Sequence, residues 1–255
     1  MVIALLTDFG TTDYYVGAVK GTILSIDPSA VIVDISHEIA AHDIRAASFV
    51  LGACCEDFPA DTIFIGVVDP GVGSARRAIA VAARGRKFVA PDNGLLTDAL
   101  RDVDYTAVEI TNRRYFGPRE SSTFHGRDIF GPVAAYLSLG VPLAELGPAA
   151  SELTLIEKPN ALTEDGSVHG EIIHIDRFGN LVTDLTLADI PPKFLLDVSG
   201  VTVEAICSAY AEMPRGELFL INGSAGRIEI SLCEGSAAAF TGAAVGQKFV
   251  IHAVA

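Results

Sequence analysis

The chain has 255 residues, of which 50% are hydrophobic and 20% are charged, and its formal net charge is −14. This length is enough for one large domain or two unequal ones, each with a core of its own. The acidic excess leaves no basic face for nucleic acid, and no apolar run approaches the roughly eighteen residues of a membrane helix. We therefore expect a globular protein that binds neither nucleic acid nor membrane.

The first half of the chain alternates β-branched apolar runs with stretches of helical spacing. Strands are predicted at 2–6, 31–36, 62–68, 78–83, 87–90 and 105–110, and helices at 14–26, 43–58, 95–101 and 128–140. Asp43 is the predicted N-cap of the second helix. An alternation of this kind is typical of an α/β domain with a mainly parallel sheet covered on both faces.

The pattern changes near residue 156, where Pro, Asn, Asp and Gly appear without a clear period. Short strands separated by Gly and Ser dominate afterwards, as in GEIIHIDRFGNLVTDL and GRIEISL. The sequence thus predicts an α/β N-terminal domain over 1–155, a linker over 156–167, and a smaller β-barrel-like C-terminal domain over 168–255.

Polar side chains follow several predicted strands of the first domain. Asp8 and Asp13 come after the first strand, Asp69 after the strand at 62–68, and Asn93 after the strand at 87–90. Ligands of open parallel sheets bind outside the carboxyl ends of the strands, so these groups mark a candidate site. Asp8 lies in a DFG triplet, but the chain lacks the other kinase motifs, so this triplet does not indicate magnesium or ATP.

Two further motifs offer reactive side chains. In VVDPGVGSARR, the glycines permit a tight turn in which Arg76 folds back onto Asp69, although a plain hairpin with a surface ion pair has the same pattern. In FHGRDIFGP, His125 precedes a predicted helix, and it can be either a catalytic group or a structural donor.

The C-terminal domain contains a pattern suited to a purine. HIDRFGN supplies Asp176, Phe178 and Asn180, an aromatic ring for stacking beside an amide that can bond a base edge. INGSAGRIEIS adds Ser224 and Glu229. A β-turn with a core Phe178 and an ordinary hairpin are the alternatives at these two places.

No metal or redox site is predicted. HEIAAH at 37–42 has its second histidine one position later than the HExxH zinc motif, and the four cysteines show no CxxC spacing. Reduced core thiols and the absence of a basic leader before VIALL are typical of a cytoplasmic protein.

Seven segments together resemble one family: LLTDFGTTDYYVGAVKG, DISHEI, VVDPGVGSARR, APDNGLLT, FHGRDIFGPVAA, IDRFGNLVTDL and NGSAGRIEIS, in this order. The chain is similar over essentially its whole length to the S-adenosylmethionine hydroxide adenosyltransferases, which are related to fluorinase and chlorinase. The resemblance implies an α/β domain followed by a β-barrel-like domain. It also implies a homotrimer with active sites between subunits, and hydrolysis of S-adenosylmethionine to adenosine and L-methionine without a cofactor.

The resemblance also implies roles for individual residues. Asp69, Arg76 and His125 correspond to the catalytic triad that distinguishes the hydrolases from the halogenases. Substrate-binding roles are implied for the ribose (Asp8), the methionine ammonium (Asp13, Asp176), the methionine carboxylate (Ser224) and the adenine (Phe178, Asn180, Glu229). Asn93 is a further candidate substrate-binding residue, because of its place after the strand at 87–90. One position departs from the halogenases, which have arginine where this chain has Ala225.

Three other functions are compatible with the same residues. The chain can be a non-catalytic binder of adenosine or S-adenosylmethionine, a halide-dependent adenosyltransferase, or a metal-dependent nucleoside hydrolase or phosphatase. The Asp-Arg-His set argues against the halide reaction.

Overall fold

The structure is a computed structural model that describes residues 1–119, 121–157 and 167–254. By their internal contacts these residues form two compact units, Met1–Ile156 and Glu157–Ala255. Most of the predicted linker, residues 158–166, lies outside the described residues. Within the described ranges, no helix combines the length and the apolarity that crossing a bilayer requires.

The first unit is built on one six-stranded sheet. Its strands are β1 (Val2–Thr7), β2 (Val31–Ser36), β3 (Ile63–Val67), β4 (Ala78–Ala83), β5 (Arg86–Pro91) and β6 (Tyr105–Glu109). They lie in the order β2-β1-β3-β5-β4-β6, in which the first four are parallel and β4 runs antiparallel to both of its neighbours. The predicted α/β class and mainly parallel sheet are confirmed.

Helices and turns cover both faces of this sheet, and each face has its own apolar cluster. The helices are α1 (Tyr15–Ile26), α2 (Ile44–Cys54) and α3 (Gly131–Ser138). Asp43 caps α2 as predicted, because its carboxylate accepts a hydrogen bond from Ala46 N at 2.9 Å.

Two predicted helices differ from the structure. The helix predicted at 95–101 is wrong, because the segment folds as successive turns whose apolar side chains are buried. The helix predicted at 128–140 begins as a π-helical turn over Gly126–Phe130 before α3 continues it. π-Helical turns often mark functional sites, and this one begins directly after His125.

The second unit is an eight-stranded sheet that curls around one core into a half-barrel. Its strands are β7 (Val168–Ile175), β8 (Leu181–Thr183), β9 (Phe194–Val198), β10 (Val201–Val203), β11 (Ile206–Cys207), β12 (Leu218–Asn222), β13 (Ile228–Leu232) and β14 (Lys248–Ala253). The order is β10-β9-β14-β7-β8-β13-β12-β11, antiparallel except for β11 and β12. A short helix, α4 (Ala237–Thr241), follows β13. The β-barrel-like second domain is confirmed.

Candidate functional site

The carboxyl ends of β1 and β3 open into a cavity of about 340 Å³, which we call the N-terminal pocket. Its walls combine acidic and aromatic side chains with the loop before α3. The lining residues are Asp8, Phe9, Tyr14, Tyr15, His42, Val67, Asp69, Val72, Ser121, Thr123, Phe124, His125, Gly126 and Arg127. Its position at the carboxyl edge of a parallel sheet is the one expected for a ligand site.

Asp69, Arg76 and His125 form a continuous hydrogen-bonded chain at this pocket. Arg76 Nε donates to both carboxylate oxygens of Asp69 at 3.0 Å, and Arg76 Nη2 also bonds Asp69 Oδ2. The same Nη2 lies 2.7 Å from His125 Nδ1. The predicted return of Arg76 onto Asp69 is therefore present, and the pair is not on the surface, since the two side chains are 11% and 5% exposed.

The hydrogen bond from Arg76 determines which nitrogen of His125 carries the proton. A guanidinium N–H can only donate, so His125 Nδ1 accepts and the neutral ring carries its proton on Nε2. Burial of the ring, followed by the positive charge of Arg76, lowers the pKa of His125 below its ordinary value. The site thus presents a neutral imidazole with one donor, beside a cation and a carboxylate.

The loop that carries His125 is held from inside the protein. Asp128 is buried and accepts hydrogen bonds from Ser121 N at 2.8 Å and from the guanidinium of Arg127. Gly73 closes the opposite side, where a Cβ would collide with the Ser122 carbonyl. Only glycine allows the loop after β3 to approach this closely.

Asp8 is oriented by an unusual backbone. His42 N donates to Asp8 Oδ2 at 3.0 Å, and His42 has a left-handed φ of 69° although it is not a glycine. Such residues are uncommon and concentrate at functional sites. The other carboxylate oxygen, Oδ1, has no such backbone donor in the described part of the chain and can accept a bond from a ligand.

An aromatic cluster beside Asp8 was not predicted from the sequence. The ring centroids of Tyr15 and Phe124 are 5.1 Å apart, those of Phe9 and Phe124 are 5.8 Å apart, and Tyr14 packs on Tyr15 at 4.6 Å. The two adjacent tyrosines directly after Asp13 were the only hint in the sequence, and in the structure they are 67% and 37% exposed. Exposed aromatic faces around a polar floor suit a flat or sulfonium-bearing ligand.

Three predicted site residues of this unit do not line the N-terminal pocket: Arg76, which lies behind Asp69 and His125, and also Asp13 and Asn93. Asp13 is exposed on the turn before α1 and does not line the cavity. Asn93 uses its amide internally, because its Nδ2 donates to Val68 O at 2.9 Å and its Oδ1 accepts from Leu95 N at 3.2 Å. In this structure Asn93 therefore fastens the end of β3 to the loop after β5.

The second unit has its own cavity of about 760 Å³, which we call the C-terminal pocket. Its lining includes all five site residues that the sequence placed in this domain. The full lining is Asp176, Phe178, Asn180, Tyr210, Ile221, Asn222, Gly223, Ser224, Glu229, Leu232, Glu234 and Gly235. Phe178 is 79% exposed, so the alternative of a core Phe178 is wrong.

Asp176 shapes the turn that presents Phe178. Its Oδ1 accepts hydrogen bonds from Phe178 N and Asn180 N, both at 2.9 Å, and its Oδ2 accepts from Asn180 Nδ2 at 2.9 Å. This aspartate turn buries Asn180, which is 5% exposed, and directs Phe178 outward.

Tyr210 is a pocket residue that the sequence did not reveal. Its hydroxyl donates to Glu229 Oε2 at 3.1 Å and accepts from Asn180 Nδ2 at 3.4 Å, so it links two predicted residues. Burial, and secondarily the charge of Asp176, raises the pKa of Glu229 despite the bond from Tyr210. Tyr210 lies in a short 3-10 turn without a periodic sequence pattern, so nothing in the sequence indicated its place in the pocket.

A metal site does not emerge from the described residues, where no three or more His, Cys, Asp or Glu side chains are grouped as ligands.

Comparison with known families gives two matches on this chain. The family model of the SAM hydroxide adenosyltransferase N-terminal domain matches residues 3–147. The model of the SAM hydroxide adenosyltransferase C-terminal domain matches residues 170–250.

Relatives called hydrolases are similar over nearly the full length, and a fluorinase is similar over about three quarters of it. A protein of Salinispora tropica called (R)-S-adenosyl-L-methionine hydrolase is 37% identical, over 98% of this chain and 97% of its own. One of the same name from Thermus thermophilus is 39% identical, over 91% and 92%. A fluorinase of an Actinoplanes species is 32% identical, over 74% and 73%. Among solved structures, an uncharacterized conserved protein of Thermotoga maritima superposes with a TM-score of 0.90 at 37% identity, covering 98% of this chain and 99% of that one.

Proposed function

Because the chain belongs to the S-adenosylmethionine hydroxide adenosyltransferase family, we propose that it hydrolyses S-adenosyl-L-methionine to adenosine and L-methionine. The observation that carries this proposal is the hydrogen-bonded series Asp69–Arg76–His125, whose outer members Asp69 and His125 line the same pocket as Asp8. The full-length relatives called (R)-S-adenosyl-L-methionine hydrolase support the same reaction.

The chemistry needs a good nucleophile more than a good leaving group. A water oxygen attacks C5′ of the ribose, the C5′–S bond breaks with its electron pair going to sulfur, and the water loses one proton. Methionine leaves as a neutral thioether, so no acid and no metal is needed on that side. Opposite charges partly neutralise each other as hydroxide-like oxygen approaches the sulfonium, and a dry pocket favours this step over bulk water.

The triad activates the attacking water. We assign His125 Nε2–H as the donor that orients the attacking oxygen, since Nδ1 is occupied by Arg76. Arg76 stabilises the developing negative charge, and Asp69, whose oxygens keep further lone pairs, accepts the proton. Asp8 binds the ribose hydroxyls and so aligns C5′ with the water, an alignment that can contribute several kcal/mol.

The remaining groups bind the two ends of the substrate. Phe178 stacks on adenine, and the network of Asn180, Tyr210 and Glu229 reads its edge. Asp13 and Asp176 are assigned to the methionine ammonium and Ser224 to the carboxylate, assignments that rest on the family resemblance. Since Ala225 replaces an arginine of the halogenases, backbone donors near Ser224 must bind part of that carboxylate. We assign Asn93 an indirect part, through the loop that it fastens.

We propose that no cofactor takes part, that the protein is cytoplasmic, and that it works as a homotrimer whose sites are shared between subunits. The free state of Cys54, Cys55, Cys207 and Cys233 supports the compartment. The distribution of the predicted groups over two pockets, in two separate units, supports the shared site.

Mixing two inactive variants tests the shared site. Asp69→Asn damages only the N-terminal pocket, and Asn180→Ala only the C-terminal one. If sites are shared, subunits reassembled from both variants recover part of the activity. Equal inactivity of the mixture and its components, despite verified exchange, contradicts sharing.

The reaction itself is tested in ¹⁸O-water with a chelator present, with and without chloride. We expect equal amounts of methionine and adenosine, with ¹⁸O at the 5′ hydroxyl in both salts. Intact substrate beside tightly bound adenosine favours the non-catalytic binder. A 5′-halo-adenosine formed only with halide favours the adenosyltransferase, and inhibition by chelator favours a metal-dependent enzyme.

A further inference from the structure

The loop that carries Asp8 is fastened to the end of β2 by a buried histidine outside the pocket. His37 is 5% exposed. Its Nδ1 lies 2.8 Å from Thr7 Oγ1, and its carbonyl oxygen accepts a hydrogen bond from Gly10 N at 2.7 Å. Thr7 Oγ1 in turn accepts from Phe9 N at 3.2 Å. His37 is therefore bonded to the backbone or side chains on both sides of Asp8, although it does not line the cavity.

The direction of these bonds follows from the neighbour of His37. Its Nε2 lies 3.1 Å from Asp34 Oδ1. The contact lacks the alignment of a full hydrogen bond, so it is an electrostatic contact between the edge of the ring and the carboxylate. A lone pair on Nε2 would face the carboxylate unfavourably, so Nε2 carries the proton. In the neutral ring Nδ1 then accepts the Thr7 hydroxyl proton, which leaves Thr7 Oγ1 free to accept from Phe9 N.

The series of polar contacts extends from His37 through Asp34 to helix α1. Lys20 Nζ, on α1, lies 2.6 Å from Asp34 Oδ2. One polar path thus runs from α1 through Asp34, His37 and Thr7 to the backbone on either side of Asp8. Lys20 and Asp34 are partly exposed, with side chains 32% and 41% accessible, whereas Thr7 and His37 are buried. A hydrogen bond between buried groups is electrostatically stronger than one in water, so the Thr7–His37 end of the path is the part that holds the backbone.

We propose that His37 and Thr7 are positioning residues that hold the Asp8 carboxylate in the orientation required to bind a ribose diol. The inference rests on the proposed function, in which Asp8 binds the ribose. Its particular content is that substrate affinity depends on a hydroxyl and an imidazole that never touch the substrate.

Thr7→Val tests this with little change of shape, because it removes the hydroxyl from a site that is 2% exposed and retains the side-chain volume. We expect the Kd for adenosine, measured by calorimetry, and the KM for S-adenosylmethionine to rise about tenfold, the factor for one lost hydrogen bond. The kcat is expected to stay within about threefold, because the triad is untouched. His37→Leu should reproduce this split, and Thr7→Ser, which restores the hydroxyl, should restore the affinity.

The control is Ser138→Ala, which removes another internal hydrogen bond, that of Ser138 Oγ to Asp27 Oδ2 at 2.7 Å, outside both pockets. It should lower Tm without changing Kd or KM. Unchanged adenosine affinity in Thr7→Val, no recovery in Thr7→Ser, or an equal loss of affinity in Ser138→Ala would overturn the positioning role. A wild-type protein that neither binds adenosine nor consumes S-adenosylmethionine would instead overturn the proposed function.

Discussion

Arg76 joins Asp69 and His125 through a single guanidinium, with its Nη2 2.7 Å from His125 Nδ1 and also bonded to Asp69 Oδ2. This shared nitrogen makes the histidine a neutral acceptor at Nδ1. The Arg76 Cζ atom also lies 5.4 Å from the ring centroid of Phe130, so the planar group is held from a third side.

The first prediction concerns the shape of this cation. Arg76→Lys retains the charge, but one ammonium cannot reproduce the paired donors to Asp69 and the bond to His125. We expect kcat to fall by about 10²–10³, the usual cost of losing a preorganised donor. Steady-state kinetics with circular dichroism as a folding check will measure it.

Arg77→Lys is the matched control, since the neighbouring Arg77 pairs with Asp92 and its side chain is 35% exposed. Its activity should remain near wild type. If Arg76→Lys were as active as Arg77→Lys, charge alone would suffice and the bridging role would be wrong.

The second prediction is the pH dependence of activity. Burial and the charge of Arg76 lower the pKa of His125 below its ordinary 6.5. Activity needs the neutral ring, so the acid limb of kcat/KM will lie below pH 6.5. The unfolded chain takes up this proton first, so stability also declines as pH falls from 6.5 towards the lowered pKa. An acid limb at or above 6.5 in the pH profile would contradict the neutral tautomer.

The third prediction separates stacking from stability. Phe178 is 79% exposed, so Phe178→Ala removes little buried surface, but it removes the proposed adenine platform. We expect KM to rise at least about tenfold, as for loss of base stacking, with Tm unchanged. Phe240→Ala is the control, because Phe240 is 56% exposed and lies outside the C-terminal pocket. Equal kinetic effects in both variants would remove Phe178 from the site.

The fourth prediction concerns the effect of the Glu229 charge on stability. Burial raises its pKa above the ordinary 4.5, which means that the folded state disfavours the charged form. Wild-type stability therefore decreases as pH rises from 4.5 through the raised pKa, and the deficit persists above it. Glu229→Gln lacks this charge and retains an acceptor for Tyr210, so its Tm should exceed that of wild type at pH 7. The difference should vanish below about pH 4.5, and a lower Tm at pH 7 would show that the carboxylate is stabilising.

Local signals in the sequence predicted much of the fold. Asp43 before a run of helical spacing predicted an N-cap, and its carboxylate caps α2. The helix prediction at 95–101 was wrong, because the apolar spacing there reflects the burial of the side chains and not a helical backbone. Leu95, Leu96 and Leu100 are buried in successive turns, where their side chains pack against the core without a continuous helix.

The sequence by itself determined the order of strands and helices, the change to a β-rich second half, and the motifs that place Asp69, Arg76, His125, Phe178 and Asn180. Each of these features depends on residues within a few positions of one another, so it can be recognised from local composition and periodicity. Only the tertiary structure decided which groups share a proton and which share a cavity. Arg76 meets His125 across 49 positions and Tyr210 meets Glu229 across 19, because strand pairing and loop closure bring distant segments together. The path from Thr7 to His37 is of the same kind, since it exists only where β1 and β2 lie side by side.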